Sequence, residues 1–165
     1  MAQKGAAVRQ EVGPASVRSV LLVPVPVERA FEVFAEELAD WWIRDYTWSG
    51  SAALVELGIE PHTDGMLYEI GPYGFRADWG RVLVWEPPYR LVFTWQIGPD
   101  RAPVPDPERA SEVEVRFRAD DSGDTVVEVE HRHFERHGES GEGYRQALTA
   151  GWQELLTGYH RSVTR

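Results

Sequence analysis

Cysteine is absent from the 165-residue chain, which excludes disulfides, thiolate nucleophiles and every zinc site that needs a sulfur ligand. No window holds the roughly eighteen uninterrupted apolar residues of a membrane span. The opening Met1-Ala-Gln-Lys-Gly-Ala-Ala-Val-Arg-Gln lacks the apolar region of a secretory signal, and a cytoplasmic protein is the default expectation. Positive charge is short as well: 17 basic against 27 acidic side chains leave a formal charge of −10. With no Lys/Arg cluster to offset it, that charge repels phosphate backbones and argues against nucleic-acid binding. Aromatic residues are what the chain has in plenty, with 7 Trp, 6 Tyr and 6 Phe. So much ring area needs either a very aromatic core or a cavity, and a chain of this length is expected to bury one core as one domain.

Residues 1–15 are small and polar, broken by Gly13-Pro14, and read as a mobile arm before a single domain over 16–165. A first strand over 17–25 ends in Pro24-Val25-Pro26, and Pro26 suits the first turn of a helix. Val27, Ala30, Phe31 and Phe34 then follow at helical spacing, and a second short helix covers 37–43. Strand signals come next at 53–60, 66–70, 76–86, 89–97, 111–119 and 125–135, separated by turn residues. The connections are too short for crossover helices, so the sheet is antiparallel. The longest connection, 98–110, carries Pro99, Pro103, Pro105 and Pro107, which remove backbone donors and forbid a ladder. A solvated hairpin loop is the simpler reading of it, and a lid over a site the other.

Alternation within the strands assigns their faces. Val113, Val115 and Phe117 share one side, opposite Glu112, Glu114, Arg116 and Arg118. Leu91, Phe93 and Trp95 repeat the inward pattern, as do Val127, Val129, His131 and His133. In 76–86 the parity is ambiguous, because Trp79, Leu83 and Trp85 share one face while Val82 and Val84 occupy the other. The last element is a long amphipathic helix whose stripe runs Tyr144, Leu148, Trp152, Leu155, Tyr159 and Val163. A sheet with one apolar face and a helix with one apolar stripe must cover each other. The expected architecture is α+β: one strand, two short helices, six strands and a long C-terminal helix across a curved antiparallel sheet of about seven strands.

Several stretches carry a family resemblance. They are Pro26-Val-Glu-Arg-Ala-Phe, Trp41-Trp42, Gly65-Met-Leu-Tyr-Glu-Ile, Trp79-Gly-Arg-Val-Leu-Val-Trp-Glu-Pro-Pro and Arg90-Leu-Val-Phe-Thr-Trp. The later ones are Ser111-Glu-Val-Glu-Val-Arg-Phe, Glu130-His-Arg-His-Phe-Glu-Arg-His-Gly and Gly151-Trp152. In this order, over about residues 17–160, they resemble the START-related (SRPBCC) superfamily, the helix-grip fold of the birch-pollen allergen and of polyketide cyclases. The branch they are most similar to is named for the activator of the heat-shock ATPase. The resemblance implies a helix-grip fold, which hosts both catalysts and carriers, and a chaperone contact as one partner to expect. Trp41-Trp42, Tyr68-Glu69-Ile70 and Glu130-His131-Arg132-His133-Phe134 are also similar to self-resistance proteins of enediyne producers, which sequester a reactive natural product and are cleaved in its place.

From the residues themselves, Trp41, Trp42, Tyr46, Trp48, Tyr68, Trp79, Trp85, Trp95, Trp152 and Tyr159 are the rings that would line a cavity between sheet and helix. For Trp95 and Trp152, mid-element on inward stripes, core packing is the stronger reading. Trp41, Trp42, Tyr46 and Trp48 follow the short helices, where such a cavity opens. His131 and His133, two apart on one strand, are expected on the same side. Two imidazoles so spaced can share a metal, with His62, His137 or His160 to complete it. A polar pair on the pocket wall, or a satisfied core histidine, needs no further ligands and fits better. Should His131 face a cavity, it is the group best suited to move a proton there. Glu112, Glu114, Glu128 and Glu130 read as solvated surface, and Glu69 and Asp78 stay open. Gly138, Gly141 and Gly143 read as the loop into the helix and not as a phosphate cradle.

The chain is therefore expected to bind a small apolar, aromatic or polycyclic ligand between the sheet and the C-terminal helix, with no cofactor and no metal. The alternatives are a cyclase- or hydrolase-like enzyme using His131 and a cavity tyrosine, a chaperone-binding module acting through its acidic surface, and the sequestering role just described.

Overall fold

A computed structural model describes residues 7–13 and 15–165. The N-terminal stretch is not uniformly an arm: Arg9–Val12 forms β1, paired antiparallel with β2, Ser16–Val23. Its anchor is Gln10, whose Nε2 donates to the Thr149 carbonyl at 2.7 Å and to Ser19 Oγ at 3.2 Å. Residues 1–6 and Pro14 of the expected arm lie outside the described residues.

Pro26 stands immediately ahead of α1, Val27–Glu36, where its missing N–H costs nothing. The helix buries Val27, Ala30, Phe31, Val33, Phe34 and Ala35 and leaves Glu28, Arg29 and Glu32 outside. One turn, α2 at Leu38–Trp41, follows, and then a second single turn, α3 at Gly50–Ala53, whose last residue is the first of the strand expected over 53–60. The strand there is only Glu56–Ile59, β3. The remaining strands are β4 at Met66–Ile70, β5 at Arg76–Glu86, β6 at Arg90–Trp95, β7 at Ser111–Ala119 and β8 at Thr125–Arg132. All are antiparallel in one eight-stranded sheet ordered β1-β2-β8-β7-β6-β5-β4-β3.

Two irregularities resolve the parity of β5. Register shifts between Leu67 and Tyr68 on β4 and between Val82 and Val84 on β5 insert extra residues into the ladder. As a result Val82 pairs with inward Phe93 and Trp85 with inward Leu91, although they are three apart. A strict two-residue period cannot predict such a switch.

The inner face is closed by α4, Gly141–Val163. Leu148, Trp152, Leu155, Tyr159 and Val163 of the expected stripe are buried. Tyr159 donates its hydroxyl to the Ala30 carbonyl at 2.7 Å, which locks α4 to α1. Close approach to α2 is possible because residue 158 is glycine: a Cβ there would stand 2.9 Å from the Trp41 carbonyl oxygen.

On the outer face the carboxylates are not merely solvated. Glu114 is buried and accepts from Arg90 Nε (2.7 Å), Arg116 Nε (2.7 Å) and Arg132 Nη1 (2.6 Å). Burial alone would raise its pKa, but the three guanidiniums outweigh this and hold the carboxyl down at about 2. Glu112, Glu128 and Glu130 pair with Arg136, Arg18 and Arg132 respectively.

Candidate functional site

A cleft of about 390 Å³ opens where the N-terminal half of α4 meets the ends of the sheet. One wall is helical: Tyr144, Ala147, Leu148 and Gly151 recur at three- and four-residue steps on one face of α4. The opposite wall comes from Asp45, Tyr46 and Trp48 after α2, and the floor from Trp95 at the end of β6. Ile97, Gly98, Pro99 and Arg101, the first residues of the proline-rich loop, complete it.

Hydrogen bonds hold these walls in place. Trp95 donates its Nε1–H to the Tyr144 hydroxyl at 2.8 Å, and Tyr144 donates onward to the Ile97 carbonyl at 2.8 Å. Burial pushes the Tyr144 phenol up to about 12, so it stays protonated at any ordinary pH. Tyr46 donates to Glu154 Oε2 at 2.8 Å, and burial and that carboxylate likewise raise it to about 12. Trp48 Nε1–H donates to the Arg101 carbonyl at 2.7 Å, while Arg101 Nη2 donates to the Thr47 carbonyl at 2.8 Å. The start of the loop is thus tied to the rim.

Inward of this cleft lies a pocket of about 10 Å³, with Tyr46 and Ile97 common to both and Trp42, Thr47, Glu69 and Trp79 around the rest. Glu69 points inward from β4 and is buried; Asp78 faces out and accepts from Arg76 Nε at 2.8 Å. Glu69 accepts from the Trp48 backbone N–H (2.9 Å), the Ser49 N–H (2.8 Å) and the Ser49 hydroxyl (2.6 Å).

The other residues singled out from sequence are placed as follows. Trp41 is core, donating to the Val33 carbonyl at 3.0 Å and packed on Phe34 and Tyr159. Trp42 stands among Trp41, Trp79, Trp95 and Trp152. Trp85 packs edge-on against Phe31 of α1, away from the cleft residues. Tyr68 lies on the outer face of β4, stacked under the Arg76 guanidinium at 4.5 Å and bonded to Glu56. Trp152 and Tyr159 are fully buried.

The two histidines do not share a side. β8 ends at Arg132, and His133 adopts a left-handed φ of 65° that turns its ring out toward Glu135 at 3.2 Å. His131 is entirely buried and has both ring nitrogens occupied. Trp152 Nε1–H donates to its Nδ1 at 3.0 Å, so its own proton sits on Nε2 and is donated to Ser111 Oγ at 2.8 Å. Ser111 in turn donates to His137 Nε2 at 2.8 Å. Burial, and next to it His137, push the His131 pKa well below the ordinary value. With no exposure and both ring nitrogens engaged by Trp152 and Ser111, His131 has no nitrogen free to exchange a proton with a ligand. Among the described residues no group of three His, Asp or Glu is arranged to hold a metal.

Sequence reasoning passes over Asp45, Ile97, Arg101 and Ala147, and reaches Gly98 and Pro99 only through the lid reading of the 98–110 loop. Tyr144 and Leu148 were marked only as part of the helix stripe. The signal for these two was their place at its N-terminal end, where the stripe meets the end of β6.

The family described as "Activator of Hsp90 ATPase homolog 1-like protein" matches residues 24–159. Among solved structures, the chain is 36% identical to one described as an anthrahydroquino-gamma-pyrone synthase, Txn09, complexed with SUM. That match covers 90% of this chain and 96% of the other, with a TM-score of 0.62. Protein NE0264 from Nitrosomonas europaea is 17% identical over 93% of this chain and 97% of its own, with a TM-score of 0.63. CalU16 from Micromonospora echinospora is 19% identical over 96% and 84%, with a TM-score of 0.58. No curated protein matches the chain. The last two structures share the helix-grip fold, and the first shares sequence as well.

Proposed function

Since the chain belongs to the family of activator of Hsp90 ATPase homolog 1-like proteins, we propose that it binds an oxygenated, fused-ring aromatic molecule in the cleft between α4 and the ends of the sheet. The observation that carries this is the composition of the cleft: four rings (Tyr46, Trp48, Trp95 and Tyr144) and an aliphatic strip on α4 around about 390 Å³. That size suits a small ligand, and apolar walls with a few fixed polar groups are the usual recognition surface for one. Rings held by the Trp95–Tyr144–Ile97 and Trp48–Arg101 bonds lose little freedom on binding.

A second reading, favoured by the 36% identity to a pyrone synthase, is that the same cleft closes an oxygen ring on such a molecule. In that step a phenolic oxygen adds to a side-chain carbonyl carbon and its proton passes to the carbonyl oxygen, giving a hemiketal. That hydroxyl then leaves as water with a proton from the neighbouring carbon, and a carbon–carbon double bond closes the ring. No redox partner is needed. The chaperone reading draws less support, because the strand-face carboxylates are each paired with an arginine of the same chain.

Calorimetric titration with anthraquinone-2-sulfonate tests the binding. Saturable one-to-one association in the micromolar range is the expected result. No association up to millimolar dye overturns the reading.

A further inference from the structure

Two residues that line the inner pocket, Trp79 and Glu69, each carry an unused hydrogen-bonding group. The Nε1–H of Trp79 is buried and has no partner, and Trp79 is one wall of the pocket. Buried donors without an acceptor are rare, because the lost hydration is not regained. Glu69 is another wall. A carboxylate offers about four lone-pair sites; Glu69 Oε2 uses two on Ser49, and Oε1 uses one on the Trp48 N–H. One acceptor site on Oε1 is left.

The residues that carry this donor and this acceptor line a space of about 10 Å³, which has room for about one oxygen with its hydrogens. A carbonyl oxygen would satisfy Trp79 and leave Glu69 facing a second acceptor. An ammonium would satisfy Glu69 and leave Trp79 facing a donor. A hydroxyl satisfies both, accepting from the indole and donating to the carboxylate. Water does so too, and a ligand hydroxyl reproduces the bonds of the water it replaces.

We propose that this pocket is the subsite for one hydroxyl group of the bound aromatic, set between Trp79 Nε1–H and the Glu69 carboxylate at the inner end of the cleft. The assignment rests on the ligand reading above and adds the substituent that reading leaves open. It makes Trp79 and Glu69 specificity-determining residues: a site built to pair a hydroxyl rejects the analogue that lacks one.

The experiment compares two dyes with the same ring system, alizarin red S with two hydroxyls and anthraquinone-2-sulfonate with none, on the wild-type chain and Trp79→Phe. Wild type is expected to prefer alizarin red S by about tenfold or more, and Trp79→Phe to reduce that preference to about twofold. Anthraquinone-2-sulfonate binding with no preference for the hydroxylated dye overturns the subsite and leaves the ligand reading standing. A preference that survives in Trp79→Phe also overturns the subsite alone. Failure of both dyes to bind overturns both. An independent measurement on the wild-type chain is the indole N–H resonance of Trp79, assigned through bonds. Alizarin red S is expected to move it downfield and anthraquinone-2-sulfonate is not; a resonance that stays in place with both overturns the subsite.

Discussion

Trp152 donates its indole N–H to Nδ1 of His131 at 3.0 Å, and that one bond fixes the tautomer of a histidine with no exposure to solvent. With Nδ1 accepting, Nε2 must carry the proton, so Ser111 receives it and passes its own to His137. A protonated His131 would have two donors facing each other at the indole. The arrangement therefore favours the neutral ring by geometry as well as by burial.

Stability is expected to fall as the pH drops below His131's ordinary value. The folded-state pKa is depressed, so between the unfolded value near 6.5 and the folded one the unfolded chain binds the extra proton. Stability is then full above about pH 6.5 and lost below it, by about 1.4 kcal/mol per pH unit from this group alone. His137 and His160 are shifted the same way by burial and add to the slope. Urea unfolding at several pH values checks this. His131→Asn is expected to be less stable near neutrality by about 1–3 kcal/mol but to lose less on acidification. An unchanged slope would mean that the folded histidine takes up a proton freely.

Glu114 makes the opposite kind of group, a buried carboxylate kept charged. Its folded pKa of about 2 against an ordinary 4.5 contributes stability present above pH 4.5 and lost as the pH falls toward 2. The shift corresponds to about 3 kcal/mol at most. Glu114→Gln strands three guanidiniums, and the expected cost near neutrality is about 2–4 kcal/mol. The variant is also expected to lose less stability between pH 4.5 and 2.5, which acid titration of the unfolding free energy reads directly.

The fold was legible because its elements are long and periodic. The α4 stripe from Leu148 to Val163 and the alternation of β7 each repeat a pattern several times, and repetition is what sequence periodicity detects. The pattern fails where one residue decides: the bulge that turns both Val82 and Trp85 inward leaves the parity of 76–86 ambiguous, and the left-handed His133 ends β8 before its second histidine, against the expected shared side. Ala53 ends a turn of helix instead of starting a strand, and the strand itself begins only at Glu56, a choice tertiary contacts make for so short a segment. For the site, ring identity pointed to Trp48, Trp95 and Tyr46 at the cleft and Trp42 and Trp79 at the inner pocket. It equally pointed to Trp41 and Trp85, which are packed against α1. Aromatic composition does not distinguish a wall from a core. Arg101 and Pro99 arrive through an irregular loop that no period describes.

Tyr144 ties the cleft together, and its hydroxyl is expected to titrate far above a free phenol. A folded pKa raised to about 12 from 10 means that the neutral form is preferred in the fold, so stability is lost as the pH rises above 10. Phenolate absorbance is expected to show a late step near pH 12 that Tyr144→Phe diminishes, with Tyr46 supplying what remains. Removing the hydroxyl also leaves the Trp95 N–H and the Ile97 carbonyl without partners. The expected loss is about 1–3 kcal/mol in chemical denaturation. A late absorbance step of undiminished size in Tyr144→Phe would show that this phenol reaches water.

Ala147 offers a way to close the cleft without touching the core. It is exposed, it lines the cleft, and its neighbours at Leu148 and Gly151 belong to the same wall. Trp in its place adds a ring at the rim and costs the helix at most about 0.7 kcal/mol of propensity, so the thermal midpoint is expected to move by only a few degrees. Trp42→Ala, by contrast, removes a ring packed against four others and is expected to cost about 3–5 kcal/mol, which would confuse lost binding with lost fold. If the ligand enters between α4 and Trp48, Ala147→Trp weakens anthraquinone-2-sulfonate by about tenfold or more while the far-ultraviolet circular dichroism stays that of the wild type. Wild-type affinity in this variant would place the dye elsewhere on the molecule.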